Sequence, residues 1–290
     1  METVAQIIIA IAQRLAQRHP HDIVARQQDA WWMLEAITHK TEAQLLAHKD
    51  FKLSDKEAAE LDKWIDMHVN HAAPIQYLIG WVPFDEVKIL TRPPVLIPRP
   101  ETEEWVINLI EQLEKVTTPL TILDIGAGTG CIAIALAHAL PHAQVYAADI
   151  SQESLKLAAE NIRYNQIKNV TLVASDLFAQ LPKMKFDLIV SNPPYIAPSE
   201  WQTLAPSVTQ WEDKRALLAD DEGLAIIGAI AEQAPGWLRD TVPNNLPQVV
   251  IEFGYRQGPA VQKLFSEAGY RAVEIRQDLE GKDRVVYARV

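Results

Sequence analysis

The stretch Leu120-Thr121-Ile122-Leu123-Asp124-Ile125-Gly126-Ala127-Gly128-Thr129-Gly130 decides the fold of this chain. Its first half is apolar without a helical period, which reads as a short buried strand, and the glycines stop it. The small-residue run Cys131 to Ala139 then reads as a helix. A glycine loop between strand and helix lets the backbone come close to a ligand, at a helix N-terminus that favours negative charge. Glycine spacing alone is weak evidence, because a tight strand–helix turn looks the same. Asp149 adds to it. It ends the next strand (Gln144 to Ala148), 23 positions after Gly126 (149 − 126), where a carboxylate can accept from ribose hydroxyls. Loop, acid and register together describe a nucleoside site. A dinucleotide fingerprint would need glycine where Cys131 stands.

Outward from this stretch the pattern alternates. A helix over Glu103–Lys115 precedes it. After Asp149 come a helix from Ser151, a strand Val170–Val173 reaching Asp176, a strand opening at Phe186, a strand Gln248–Glu252 and a helix Pro259–Ala268. Arg271–Ile275 and Arg284–Ala288 read as a terminal hairpin. Strand–helix alternation of this kind builds a parallel, doubly wound sheet.

Phe186-Asp187-Leu188-Ile189-Val190-Ser191-Asn192-Pro193-Pro194-Tyr195 carries the second signal. Four of its first five residues are apolar, and Pro-Pro ends the strand. Open α/β sheets bind ligands at the carboxyl ends of their strands, which is where Asn192 falls. Neither proline has an N–H and both have a fixed φ, so the local carbonyls form a rigid, acceptor-rich edge. Asn192 adds another acceptor and Tyr195 a flat aromatic face. Such a site suits a planar group bearing an NH2. The plain alternative is a tight turn, since Asn and Pro are ordinary turn residues.

Residues 1–73 read as helical. Ile7, Ile8, Ile11 and Leu15 share one face, and a second helix after Asp22 carries Trp31, Trp32 and Leu34. Thr41–Gln44 and Ser54–Glu57 match the capping box, and Leu61, Trp64, Ile65 and Val69 give a further face. Prolines punctuate β-prone pieces over 74–100, suggesting a strand pair rather than a floppy linker.

The chain has 290 residues, 48% of them hydrophobic, enough for two domains with ample core. Its net charge of −11 argues against a duplex-binding protein, and the first 73 residues hold 8 basic against 11 acidic side chains. A single cysteine, Cys131, cannot form an intrachain disulfide and fits a reducing compartment. The early apolar run Ile7 to Ala12 is too short to span a bilayer. The expectation is a soluble cytoplasmic protein. His68 with His71, and His138 with His142, have ligand-like spacing but no third ligand nearby, so solvated helix faces are expected and no metal.

The pattern Asp124-x-Gly126-x-Gly128-x-Gly130 resembles the loop of class I S-adenosylmethionine-dependent methyltransferases, and Asn192–Tyr195 resembles the substrate motif of those acting on exocyclic or amide nitrogens. Together with Pro74–Gly80, the block Leu96-Ile97-Pro98-Arg99-Pro100-Glu101-Thr102-Glu103, Ile251–Gly254 and Asp278–Arg284, they make the chain resemble the release-factor glutamine methyltransferases of the HemK/PrmC family. The resemblance runs from about Pro74 to the C-terminus.

It implies a Rossmann-like, mostly parallel seven-stranded sheet with a C-terminal antiparallel hairpin over 101–290. A β-hairpin linker would cover 74–100 and a small substrate-recognition helical bundle 1–73. It implies that Gly126, Ala127, Gly128, Thr129, Gly130, Asp149, Asp176, Leu177 and Asn192 bind S-adenosylmethionine, with Asp176–Phe178 flanking the adenine. Asn192, Pro193, Pro194 and Tyr195 would hold the substrate, with Asn192, Pro193 and Tyr195 catalytic. The implied reaction methylates the glutamine of the Gly-Gly-Gln loop of a peptide-chain release factor, by a monomer, with no nucleic acid or membrane as partner.

Arg99, Glu101 and Thr102 either line the pocket or serve structure, with Thr102 or Glu103 as a helix cap. Glu212–Leu217 and Asp220–Gly223 follow the family only loosely. Trp201 and Trp211 read as exposed anchors or as core. The rivals are a DNA adenine methyltransferase, whose flipped base presents the same donor pair, a methyltransferase for another protein glutamine, and a non-catalytic nucleoside-binding module.

Overall fold

The structure is a computed structural model, and it describes residues 3–17, 23–47, 51–240, 242 and 246–290. Asp22 lies outside the described residues, and the second helix, expected after it, begins at Ile23. The chain divides into two compact units, Met1–Trp81 with Ala205–Trp211, and Val82–Leu204 with Glu212–Val290.

The first unit is helical because its apolar residues recur with a helical period and its ends are capped. Helix α1 (Val4–Leu15) starts at Thr3, whose hydroxyl accepts from the Gln6 N–H while Gln6 accepts from the Thr3 N–H. Its buried face is Val4, Ile8, Ile11, Ala12 and Leu15. Helices α2 (Ile23–Thr38), α3 (Glu42–Ala47) and α4 (Asp55–His71) follow, and both expected capping boxes form, at Thr41 and Ser54. A short helix α5 (Ile75–Ile79) stands where only extended chain was expected. Pro74 opens it and Gly80 closes it at φ 84°. One expectation changes and one open reading is decided. His68 is buried, its Nδ1 2.9 Å from the Ala73 carbonyl, so it is not on a solvated face. Trp211 is half-buried, donating to the His71 carbonyl at 3.0 Å beside the Tyr77 ring.

A two-stranded sheet follows, β1 (Trp81–Phe84), all but its first residue in the second unit, and β2 (Val87–Leu90). Helix α6 (Pro100–Leu113) begins three residues before the expected Glu103. Pro100 fills its first turn, where a missing N–H costs nothing, and neither Thr102 nor Glu103 caps it. Then come β3 (Thr121–Ile125), α7 (Cys131–Ala139), β4 (Gln144–Asp149), α8 (Gln152–Tyr164), β5 (Val170–Ala174) and β6 (Leu188–Ser191). The short α9 (Pro206–Thr209) belongs to the helical unit. It is followed by α10 (Ala225–Gln233), β7 (Val249–Glu252), α11 (Gly258–Glu267), β8 (Ala272–Gln277) and β9 (Asp283–Arg289).

Seven strands form one sheet in the order β5-β4-β3-β6-β7-β9-β8. The first five run parallel, and β9 inserts antiparallel between β7 and β8. The chain leaves β3 toward β5 and returns to β6 on the other side. The order therefore reverses between β3 and β6, the point at which doubly wound sheets open a crevice. Register pairs Ile125 with Ser191, and the Ser191 hydroxyl donates to the Ile125 carbonyl at 2.7 Å. The glycine loop and Asn192 thus leave the sheet side by side. β6 and β7 are buried throughout, as central strands flanked on both faces should be.

Candidate active site

A cavity of about 330 Å³ sits at this reversal point. Among the expected residues Gly126, Gly128, Asp149, Asp176, Leu177, Asn192, Pro193 and Pro194 line it. Ala127 and Thr129 are buried, Gly130 packs against Ala158, and none of the three lines the cavity. Phe178 also turns away, stacking on Trp237 in the core, so the apolar wall beside Asp176 is Leu177. Tyr195 lies outside the lining as well, held by its hydroxyl.

The charge of the lining identifies the kind of ligand. Asp149, Glu153, Asp176 and Asp213 face the cavity with only Arg215 as a cation, and Arg215 is spent on Asp213 at 2.6 Å. Such a site repels phosphates and suits a ligand bearing positive charge. Asp149 is positioned by backbone: its Oδ2 accepts from the Gly128 N–H and its Oδ1 from the Ser151 N–H, both at 2.8 Å. Burial raises its pKa, and these N–H groups pull the other way. Asp124, directly below, is fully buried. Its Oδ2 accepts from the Ala133 N–H at 3.2 Å, its Oδ1 has no partner, and burial pushes its pKa up to about 7.

The other wall is built by long-range contacts. Asn192 Nδ2 donates to Thr102 Oγ1 at 2.9 Å, and Thr102 Oγ1 donates to Glu252 Oε2 at 2.7 Å. The same oxygen accepts from Trp105 Nε1 at 2.9 Å, while Glu252 Oε1 accepts from the Tyr195 hydroxyl at 3.1 Å. Glu252 is 1% exposed. Burial raises its pKa, opposed by these three hydrogen bonds and by the positive charge of Arg284, which Asp278 holds at 2.9 Å. Burial and the neighbouring carboxylate push the Tyr195 hydroxyl far up, so it stays a donor.

Arg99 pairs with buried Glu212, and the Asp213 N–H donates to the Pro94 carbonyl at 2.7 Å. These contacts tie 94–99 to 212–216, whose residues Pro94–Leu96, Asp213, Arg215 and Ala216 line the cavity. Gly223, at φ +83°, brings the following loop within reach of the Tyr195 carbonyl.

Sequence reasoning missed Ile150, Glu153, Pro94–Leu96, Asp213, Arg215, Ala216 and Ile226 in the lining, and Trp105 and Glu252 in the network. For Glu252 the signal was present. An acid ending an otherwise apolar strand, Val249-Val250-Ile251-Glu252, is the pattern that marked Asp149.

Residues 107–227 match the methyltransferase small domain and residues 6–80 the PrmC N-terminal domain. The structure of a ribosomal protein L11 methylase from Lactobacillus delbrueckii subsp. bulgaricus aligns with a TM-score of 0.50 and 21% identity, covering 73% of this chain and 100% of that one, a likeness in fold. Sheet order, cavity and domain match define a class I methyltransferase.

Its relatives narrow the class. A release factor glutamine methyltransferase of Lactococcus lactis is 43% identical over 236 residues, 81% of this chain and 84% of that protein. One of Bacillus cereus is 36% identical over 251 residues, 85% and 86% of the two chains. The chain belongs to the release factor glutamine methyltransferase family. It spans about half, 51%, of a bifunctional methyltransferase of Rickettsia prowazekii, to which it is 34% identical over 272 residues.

Proposed function

We propose that the enzyme methylates the side-chain amide nitrogen of the glutamine in the Gly-Gly-Gln loop of a peptide-chain release factor, using S-adenosylmethionine. The observation that carries this reading is the pairing of an acidic nucleoside-sized cavity with Asn192, whose amide is fixed at the cavity wall.

The residues fit the cofactor. Gly126 and Gly128 offer close backbone, Asp149 an acceptor for ribose hydroxyls, Asp176 and Leu177 an acceptor and apolar wall for the adenine, and the surplus carboxylates favour a cation. Ile150, 69% exposed at the rim, supplies further apolar surface. Bound S-adenosylmethionine supplies a methyl group on a positively charged sulfur and leaves as a neutral thioether.

An amide nitrogen is a poor nucleophile because its lone pair is delocalised into the carbonyl. Asn192 Oδ1 and the Pro193 carbonyl accept its two hydrogens and aim the nitrogen at the methyl carbon. With the cofactor bound, the nitrogen lone pair so aimed would take the methyl carbon as its bond to sulfur breaks, and one amide proton would then pass to water. The same two acceptors stabilise the positive charge that develops meanwhile. Tyr195, outside the lining, is fixed through its hydroxyl on Glu252 and would reach the amide plane only by a shift of its ring. The helical residues 1–73 serve as the recognition module, 74–100 as linker and 101–290 as the catalytic domain of a cytoplasmic monomer. Among the described residues no helix is long and apolar enough to cross a membrane, and no group of three ligating side chains is placed to hold a metal.

Methyl transfer from labelled S-adenosylmethionine to a purified release factor tests the reading, beside the same factor with its loop glutamine replaced and an adenine-rich DNA duplex. Label on the intact factor alone is expected. Label on DNA overturns the assignment in favour of a base methyltransferase.

A further inference from the structure

We infer that Glu252, acting through Thr102, is a positioning residue that sets the polarity of the Asn192 amide, so that the site accepts an amide NH2 and rejects a carboxylate. The inference rests on the proposed function and deepens it, because it names what distinguishes glutamine from glutamate.

The argument is one of donors and acceptors. With Glu252 as the carboxylate, both its oxygens can only accept, Oε2 from Trp105 Nε1, which can only donate. That oxygen also takes the single proton of the Thr102 hydroxyl. With its proton committed, Thr102 Oγ1 can only accept, and the group facing it on Asn192 must be the NH2. A primary amide that turns its NH2 one way turns its carbonyl the other. Asn192 Oδ1 takes no hydrogen bond from any described residue and belongs to a residue lining the cavity.

The chain Trp105–Glu252–Thr102–Asn192 therefore has one direction, and it ends in an acceptor. The neighbouring Pro193 carbonyl is also an acceptor, and Pro194 has no N–H to offer. A substrate amide would satisfy both acceptors, whereas a carboxylate would face oxygen on each and lose its hydration without compensation. Sites built to bond a substrate N–H reject the analogue lacking it far more strongly than sites that discriminate by size.

The variant Thr102→Val keeps the side-chain shape and removes the oxygen, freeing Asn192 to turn over. Its expected kcat falls on the order of 10- to 100-fold, the effect of losing one or two hydrogen-bond energies. The dissociation constant for S-adenosylmethionine, measured by calorimetry, stays within about threefold. Thr102→Ser restores kcat to within about threefold of wild type, a rescue that a purely structural role for the methyl group would not give.

The decisive readout is inhibition by a release factor whose loop glutamine is replaced by glutamate, measured against the glutamine factor. Wild type should bind the glutamate factor at least about tenfold more weakly, and Thr102→Val should bring the ratio toward one. Equal binding of both factors by wild type overturns the inference without need of any variant. So does a Thr102→Val enzyme with wild-type kcat and wild-type discrimination. A wild-type enzyme that binds S-adenosylmethionine yet transfers nothing to the glutamine factor instead fails the proposed function, and the inference falls with it.

Discussion

Around the glycine loop the hydrogen bonds run from backbone N–H groups to carboxylates near in sequence, Gly128 to Asp149 and Ala133 to Asp124. Below Asn192 they run between side chains 90 and 150 positions apart. One half of the cavity is set by local chain geometry and leaves a buried oxygen of Asp124 unpaired. The other half is a closed network in which both oxygens of Glu252 are taken. A locally built half can lose one group and keep its shape. A networked half loses alignment along with the group, because each member holds the next.

The largest effect expected from this contrast is at Asn192. Asn192→Ala should lower kcat on the order of 10²- to 10³-fold, as removal of a single preorganised polar group from a reacting centre does. Affinity for S-adenosylmethionine should change little, since the glycine loop and Asp149 remain. Single-turnover kinetics at saturating substrates check it, and near-wild-type turnover would sink the account of both acceptors.

Gly223 and Gly126 separate the halves next. Both have positive φ, +83° and +71°. A Cβ on Gly223 would lie 2.1 Å from the Tyr195 carbonyl, whereas one on Gly126 meets nothing within 4 Å. Gly126→Ala should therefore carry only the left-handed strain of about 1–2 kcal/mol. Gly223→Ala should add a backbone displacement of about 1–3 kcal/mol and disturb Tyr195 as well. Urea unfolding midpoints, with kcat alongside, decide between them. Equal costs would mean that the Tyr195 loop yields freely.

The same contrast explains what could be read in advance. Gly126, Gly128 and Asp149 announce themselves because their spacing follows from one strand–loop–helix–strand unit. Asn192–Pro194 stands out because a rigid, acceptor-rich turn closes an apolar strand at the sheet's carboxyl edge, although an ordinary tight turn would read the same way. Thr102 was legible only as a residue with two open roles, because its partners Asn192 and Glu252 are brought to it by sheet order. Phe178 was placed beside the adenine because adjacency in sequence stood in for direction, and the chain turns it into the core instead.

A smaller effect is expected at Asp149. On the proposed function Asp149→Ala removes the acceptor for ribose hydroxyls, and hydrogen bonds to charged groups are worth about 1.5–3 kcal/mol. S-adenosylmethionine should then bind roughly 10- to 100-fold more weakly, with kcat at saturation nearly preserved. Calorimetric titration checks it. A loss of kcat with unchanged affinity would move Asp149 to the networked half.

Asp124 gives the smallest and most specific effect, because it appears as a pH dependence rather than a loss. Its native pKa is raised from the ordinary 3.8 to about 7 by burial, with the charge of Asp149 adding and the Ala133 N–H opposing. The folded protein therefore holds this proton more tightly than the unfolded chain does. The resulting stability is fully present below pH 3.8 and is lost as pH rises through 7. Between about pH 6 and about pH 8 the cofactor-free protein should lose about 1.4 kcal/mol on this account. Asp124→Asn, neutral at every pH, should abolish that component while keeping an acceptor for the Ala133 N–H. Unfolding curves of wild type and variant at the two pH values measure it as a difference of differences. If both proteins respond to pH alike, the buried carboxyl is already ionised in the native state. The locally built half of the site would then be as fully compensated as the network beneath Asn192.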